Sequence, residues 1–159
     1  MAPSILIDFD TVQAAAENPV GGVEHVESVN PHRGEIRMLD GIAIVDRAND
    51  LYAAWKDIRG DAFWVPGHIP GRPLFPGVLM VEAAAQLASY ICLTRMERDA
   101  FMGFSGIKSA KFRGQVVPGN RLHLVAKLRE LKPRRCTCDA QGLVNGELVF
   151  ETTVQGMFF

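Results

Sequence analysis

Apolar positions crowd one stretch of this chain. From Gly77 the run GVLMVEAAAQLASYI is almost wholly apolar and free of proline. It predicts a helix that begins near Pro76 and closes between Arg95 and Arg98. Glu82, Gln86 and Ser89 stand at i, i+4 and i+7 of that helix, a single polar stripe on an apolar cylinder. The stretch before it, FWVPGHIPGRPLFP, carries four prolines (Pro66, Pro70, Pro73 and Pro76) and two glycines, Gly67 and Gly71. Proline fixes φ and glycine permits positive φ, so this half reads as a shaped loop that feeds the helix.

The rest of the pattern is mostly of period two. Residues 1–22 fit a strand or a short helix equally well and close at Gly21-Gly22. Val23, Val26 and Val29 are spaced for one or two helical turns, and Asn30-Pro31 stops them. From Glu35, EIRMLDGIAIVD and NDLYAAWKDI predict a hairpin turning near Asp46–Asp50. After the helix, FMGFSGIKSAKFRG predicts a further strand. In NRLHLVAKLREL, Leu122, Leu124, Ala126 and Leu128 share one face, with His123, Lys127 and Arg129 on the other. The last two strands flank Asn145-Gly146, a type I′ hairpin signal, with Leu148, Phe150, Thr152 and Val154 facing inward. A lone helix this apolar has to be covered on most sides. A curved antiparallel sheet wrapped around it is the simplest cover, which makes the fold class α+β.

Composition narrows the function without choosing it. At 159 residues, 48% hydrophobic and 22% charged, the chain has the make-up of one globular domain. A formal charge of −1 argues against a nucleic-acid footprint. The most apolar window, residues 74–93, is interrupted by Glu82 and Gln86, which argues against a membrane span. The N-terminal residues lack the basic flank and apolar core of a signal peptide, so a cytoplasmic location is expected. Cys92, Cys136 and Cys138 are then expected as reduced thiols. No Cys/His spacing suggests zinc, and no metal or cofactor is expected.

The candidate chemistry lies in the loop and the helix it feeds. A carboxylate in an apolar setting is costly unless paired or functional, and burial favours its acid form. His68 is a proton acceptor in the right range. The first N–H groups of the helix, at Gly77 and Val78, carry the positive end of the dipole and suit a developing oxyanion. Base, acid and oxyanion site together suit proton abstraction α to a carbonyl with loss of a β-leaving group. Each residue also has a plain structural reading, His68 as a loop histidine and Glu82 as a paired buried acid. Spacing alone leaves both open. His25 and His32 read as surface or capping residues, because neither has a neighbouring acid in an apolar setting.

His68-Ile69-Pro70-Gly71-Arg72-Pro73-Leu74-Phe75-Pro76-Gly77-Val78-Leu79, followed by Glu82-Ala83 and Gln86, resembles the active-site stretch of the hotdog-fold (3R)-3-hydroxyacyl-acyl-carrier-protein dehydratases. Asn30-Pro31-His32-Arg33, Ala110–Asn120 and Gly142–Gly146 resemble further family segments, so the likeness covers roughly residues 23–157. It implies an N-terminal extension over residues 1–22 and a single hotdog domain over 23–159. It implies catalysis by His68 and Glu82 from opposite subunits, with the Gly77 N–H on the thioester oxygen. Val78 would lie beside that oxyanion site, Gln86 would orient Glu82, and Ile69, which stands where the family usually has Phe, would alter the site wall. The implied partners are acyl carrier protein, whose phosphopantetheine arm carries the substrate, and a second copy in a homodimer or trimer of dimers. The implied reaction is dehydration of (3R)-3-hydroxyacyl-carrier protein to the trans-2-enoyl product in fatty-acid or related lipid biosynthesis. Glu82, rather than Asp, favours the dehydratase-only branch. Two rivals share the fold: an acyl thioesterase, which would not need His68, and a non-catalytic acyl-binding protein.

Overall fold

A computed structural model describes residues 3–96 and 99–159. Six antiparallel strands form one sheet in the order β1-β2-β4-β5-β6-β3. The strands are β1 (Gly41–Asp46), β2 (Leu51–Asp57), β3 (Met102–Phe112), β4 (Arg121–Lys132), β5 (Arg135–Val144) and β6 (Glu147–Phe158). The helices are α1 (Phe9–Glu17), α2 (Val23–Val29) and α3 (Gly77–Arg95). The 19-residue α3 is roughly 28 Å long at 1.5 Å per residue and lies against β2 through β6. Its interior residues, Leu87 and Ile91 among them, pack with Leu122, Leu124, Ala126 and Phe150 into the main core. By length and composition α3 would also pass as a membrane span. Here its apolar surface is spent on the sheet. The expected helix end at Arg95–Arg98 falls at Arg95, while Glu97 and Arg98 lie outside the described residues.

The hairpin signal at Asn145-Gly146 is realised, with φ of 51° and 85° joining β5 to β6. Two expectations are corrected. The first strand begins at Gly41, not Glu35, because Gly34 turns the chain at φ 60° and opens a short 3₁₀ turn over Gly34–Ile36. The Ile36 carbonyl and the Met38 N–H then bond the Gln86 side chain instead of a neighbouring strand. His123 lies on the face opposite Leu122, Leu124, Ala126 and Leu128, as the alternation predicts. It is buried together with Val125, because α1 covers the convex side of β4. Leu148 packs on that convex side as well, since the β5–β6 register shifts from Gly142↔Phe150 to Leu143↔Leu148 and sends Val149 into the main core.

The sheet is therefore covered twice. α1, capped by the Asp8 carboxylate on the Thr11 N–H at 2.9 Å, seats Val12 and Ala16 on Ala43, Ala53, Trp55, Val125 and Leu143. The 3–6 segment is tied down by Gln141, whose Oε1 accepts from the Leu6 N–H and whose Nε2 donates to the Ser4 carbonyl. Cys92, Cys136 and Cys138 are unbridged and buried in the main core. Hydrogen bonding with Cys136 and Cys138, and then burial, push the Cys92 thiol far up, so its thiolate is not a reagent at neutral pH.

Candidate active site

The loop before α3 is held at its base and open at its tip. Trp64 and Phe75 are both buried and meet edge-on at 5.4 Å. The Phe75 N–H bonds the Val116 carbonyl at 2.8 Å. Between these anchors Gly71 turns at φ 79°, and the His68 N–H bonds the Trp64 carbonyl at 2.9 Å. The His68 ring is exposed, with Nδ1 2.8 Å from the Leu74 carbonyl oxygen. A carbonyl only accepts, so Nδ1 carries the hydrogen and Nε2 keeps its lone pair free to take a proton.

α3 starts where proline requires it to, since Pro76 has extended backbone (φ −60°, ψ 130°) and helical geometry begins at the next residue. The N–H groups of Leu79 and Met80 fall on the Pro76 carbonyl. Those of Gly77 and Val78 precede any intrahelical acceptor and point out of the helix end. A side chain at Gly77 would collide with the Phe112 ring, 2.8 Å from an added methyl, so glycine is what lets that ring pack against the helix start. Val78, the next residue, is 74% exposed.

One turn further in, the Glu82 carboxylate is built on a buried amide. Gln86, 1% exposed, uses both N–H groups and its oxygen. Nε2 donates to Glu82 Oε1 at 2.7 Å and to the Ile36 carbonyl at 2.7 Å, while Oε1 accepts the Met38 N–H at 2.8 Å. Asn30 ties the preceding turn to the same helix through its Nδ2 on the Gln86 carbonyl at 2.8 Å. Glu82 itself reaches a part-open surface.

The structure brings Glu82 and Gln86 together and places Gly77, Val78 and His68 at the mouth of α3. Ile69, beside His68, is part-exposed. No hydrogen bond or ion pair joins His68 to Glu82 within the chain, among the described residues. A cleft of about 260 Å³ lies beneath the loop, lined by Arg37, Met38, Phe63, Trp64 and Phe75 among others, and neither His68 nor Glu82 lines it. The sequence reads His32 as a surface or capping residue with no neighbouring acid in an apolar setting. In fact its Nε2 stands 3.8 Å from Glu82 Oε1. The only sequence signal for this was the rigid Asn30-Pro31 turn that aims it. His25 bonds the Tyr90 hydroxyl at 2.8 Å and takes no part in this cluster.

A central helix cradled by one antiparallel sheet, with an oriented carboxylate one turn inside its N-terminus, defines a hotdog-fold protein. Residues 30–153 match the FabA-like domain, and the chain belongs to that family. It is 32% identical over 147 residues to the 3-hydroxyacyl-[acyl-carrier-protein] dehydratase FabZ of an Anaeromyxobacter species, covering 89% of this chain and 92% of that one. It is 31% identical over 134 residues to the bifunctional enzyme LpxC/FabZ of Chlorobaculum tepidum; that match takes in 83% of this chain but 28% of the longer protein. Among solved structures, the dehydratase heterocomplex ApeI:P from Xenorhabdus doucetiae shares the fold, with a TM-score of 0.71 at 14% identity over 83% of this chain and 89% of that one.

Proposed function

We propose that the chain is a hydro-lyase that converts (3R)-3-hydroxyacyl-acyl carrier protein to the trans-2-enoyl thioester. The observation that carries this reading is the Glu82 carboxylate locked by Gln86 at 2.7 Å, in a chain whose His68 has a free Nε2. His68 Nε2 takes the α proton. The Gly77 N–H, with Val78 beside it, holds the thioester oxygen as charge develops there. Glu82 in its acid form protonates the departing 3-hydroxyl, which leaves as water.

His68 of one protomer works with Glu82 of the other. Support for pairing comes from β3, an 11-residue edge strand whose Phe104, Ile107 and Phe112 are exposed, with Val78 exposed at the helix mouth. A long apolar edge of this kind invites a second copy. Dimer, or trimer of dimers, is the assembly this reading requires. Acyl carrier protein is the substrate donor, and the cytoplasm is the compartment that suits three unbridged thiols.

The test is a short 3-hydroxyacyl thioester assayed for both enoyl product and free thiol. Enoyl formation is expected, and His68→Ala and Glu82→Gln should each lower kcat by about 10²–10⁴-fold while leaving the melting temperature in place. Thiol release without enoyl product would replace dehydration with thioester hydrolysis. Ligand binding with neither product would leave an acyl-binding protein.

A further inference from the structure

We propose that His32 is a positioning residue of this site: together with Gln86 it holds Glu82 Oε1 so that Oε2 alone transfers the proton. The inference rests on the dehydratase reading and goes beyond it. Glu82 Oε1 accepts Gln86 Nε2–H at 2.7 Å, and the same oxygen faces His32 Nε2 at 3.8 Å. That second distance is too long for a hydrogen bond and is a charge–dipole contact.

The placement of His32 is built. Arg33 Nη1 donates to the carbonyls of Asn30 and His32 at 2.7 and 2.8 Å, and its Nη2 donates to the Glu27 carbonyl at 2.8 Å. Asn30, 1% exposed, pins the turn to α3. His32 Nδ1 is buried with no partner among the described residues. A proton there would be an orphan donor next to the Arg33 charge, so the ring's hydrogen belongs on Nε2, facing Glu82. The other charged groups near the ring act in both directions. Burial pushes the imidazole below its ordinary range, Glu82 pulls it up, Arg33 pushes it down, and the net direction is down.

The chemistry follows from counting donors. When Glu82 is the acid, a hydrogen on Oε1 would meet the N–H of Gln86 and the N–H of His32 head-on. The acidic hydrogen therefore sits on Oε2. In the reaction the Cα–H bond breaks and its electron pair forms the Cα=Cβ bond. The Cβ–O bond breaks, and the Oε2 proton completes the water. His68 Nε2 keeps the α proton. The negative charge left on Glu82 is then met by the Gln86 hydrogen bond and by the His32 N–H dipole already aimed at it. This help exists only after proton transfer begins, so it acts on kcat rather than on binding.

His32→Leu and His32→Gln, assayed on the same 3-hydroxyacyl thioester, test the assignment. His32→Leu should lower kcat about tenfold, the size of one modest polar contact, with KM within about twofold. His32→Gln keeps an N–H near the Nε2 position and should recover kcat to within about threefold of the unaltered protein. Nitrogen-15 NMR of the His32 ring should show the neutral Nε2–H tautomer at pH 7. An unchanged kcat in His32→Leu, equal losses in both variants, or a charged or Nδ1–H ring would each overturn the proposal. If the unaltered protein forms no enoyl product, the dehydratase reading fails instead, and the ring tautomer still decides where His32 is aimed.

Discussion

On the concave face of the sheet, Gln86 is 1% exposed and both N–H groups and the oxygen of its amide are bonded. On the convex face, His123 is 5% exposed and neither ring nitrogen has a partner among the described residues. Both side chains are polar, both come from regular elements, and both lie under a helix–sheet contact. The difference is direction. Gln86 passes its last N–H outward to a carboxylate that reaches the surface. His123 stops against the Phe9 ring, edge-on at 5.3 Å, and leads nowhere. Burial of a polar group marks a site only when its bonds point toward something that can react.

Gln86→Leu gives the largest expected effect and tests the concave half of this contrast. Leucine fills similar volume but leaves the Met38 N–H and the Ile36 carbonyl without their partner. The buried Met38 N–H at roughly 1–3 kcal/mol and the part-buried Ile36 carbonyl at roughly 1 kcal/mol predict about 2–4 kcal/mol of lost stability, a fall in Tm on the order of 10 °C. Activity measured on the remaining folded protein should also drop about tenfold, because Glu82 loses its fixed orientation. Thermal unfolding followed by circular dichroism, with kcat measured well below Tm, separates the two losses. A stable variant with low kcat would mean that Gln86 only aims the carboxylate. A destabilised variant with full kcat would mean that it only fastens the 34–38 segment.

That segment also shows what could be read in advance. The helix over Gly77–Arg95 was legible because a proline at its start and an unbroken apolar run are local signals, as was the Asn145-Gly146 turn. Glu82 and Gln86 were legible as a pair because four residues is one helical turn. Glu35–Asp40 misread as strand because its backbone partner is a side chain 50 residues later. The same separation hid His32: its acid neighbour is 50 residues away, and no period reports that distance. His123 lies on the face that the alternation predicts, but its burial is not legible there. Alternation in β4 is real, but it tells inside from outside only if one face is wet, and α1 dries the second face.

Val12→Ala tests the convex half with a smaller effect. Val12 is fully buried between α1 and the sheet and touches no group of the site. Losing two methyl groups there should cost about 1–2 kcal/mol, read as a lower Tm or denaturant midpoint. The kcat of the folded fraction should stay within about twofold of the unaltered protein. A larger loss of kcat would show that α1 and the site are coupled through the sheet, and the two faces would no longer be separable.

The smallest expected effect is the most specific to the convex face. Burial first, and then Arg121, hold His123 below the ordinary imidazole range, while Asp57 pulls weakly the other way. The unfolded chain therefore takes up a proton near pH 6.5 that the folded chain still refuses. Stability should then fall as pH drops below about 6.5, with a slope of up to about 1.4 kcal/mol per pH unit from this residue, ending only where the folded protein also protonates. His32 is lowered as well and contributes in the same direction, so part of the slope remains when His123 is removed. His123→Phe keeps an aromatic ring against Phe9 and removes the titration. Urea midpoints at pH 7.5 should barely change, and the gap between pH 7.5 and pH 5 should narrow. An unchanged gap would mean that His123 is already wet in solution and that α1 does not stay seated over it. The contrast with Gln86 would then lie in exposure rather than in the direction of the bonds.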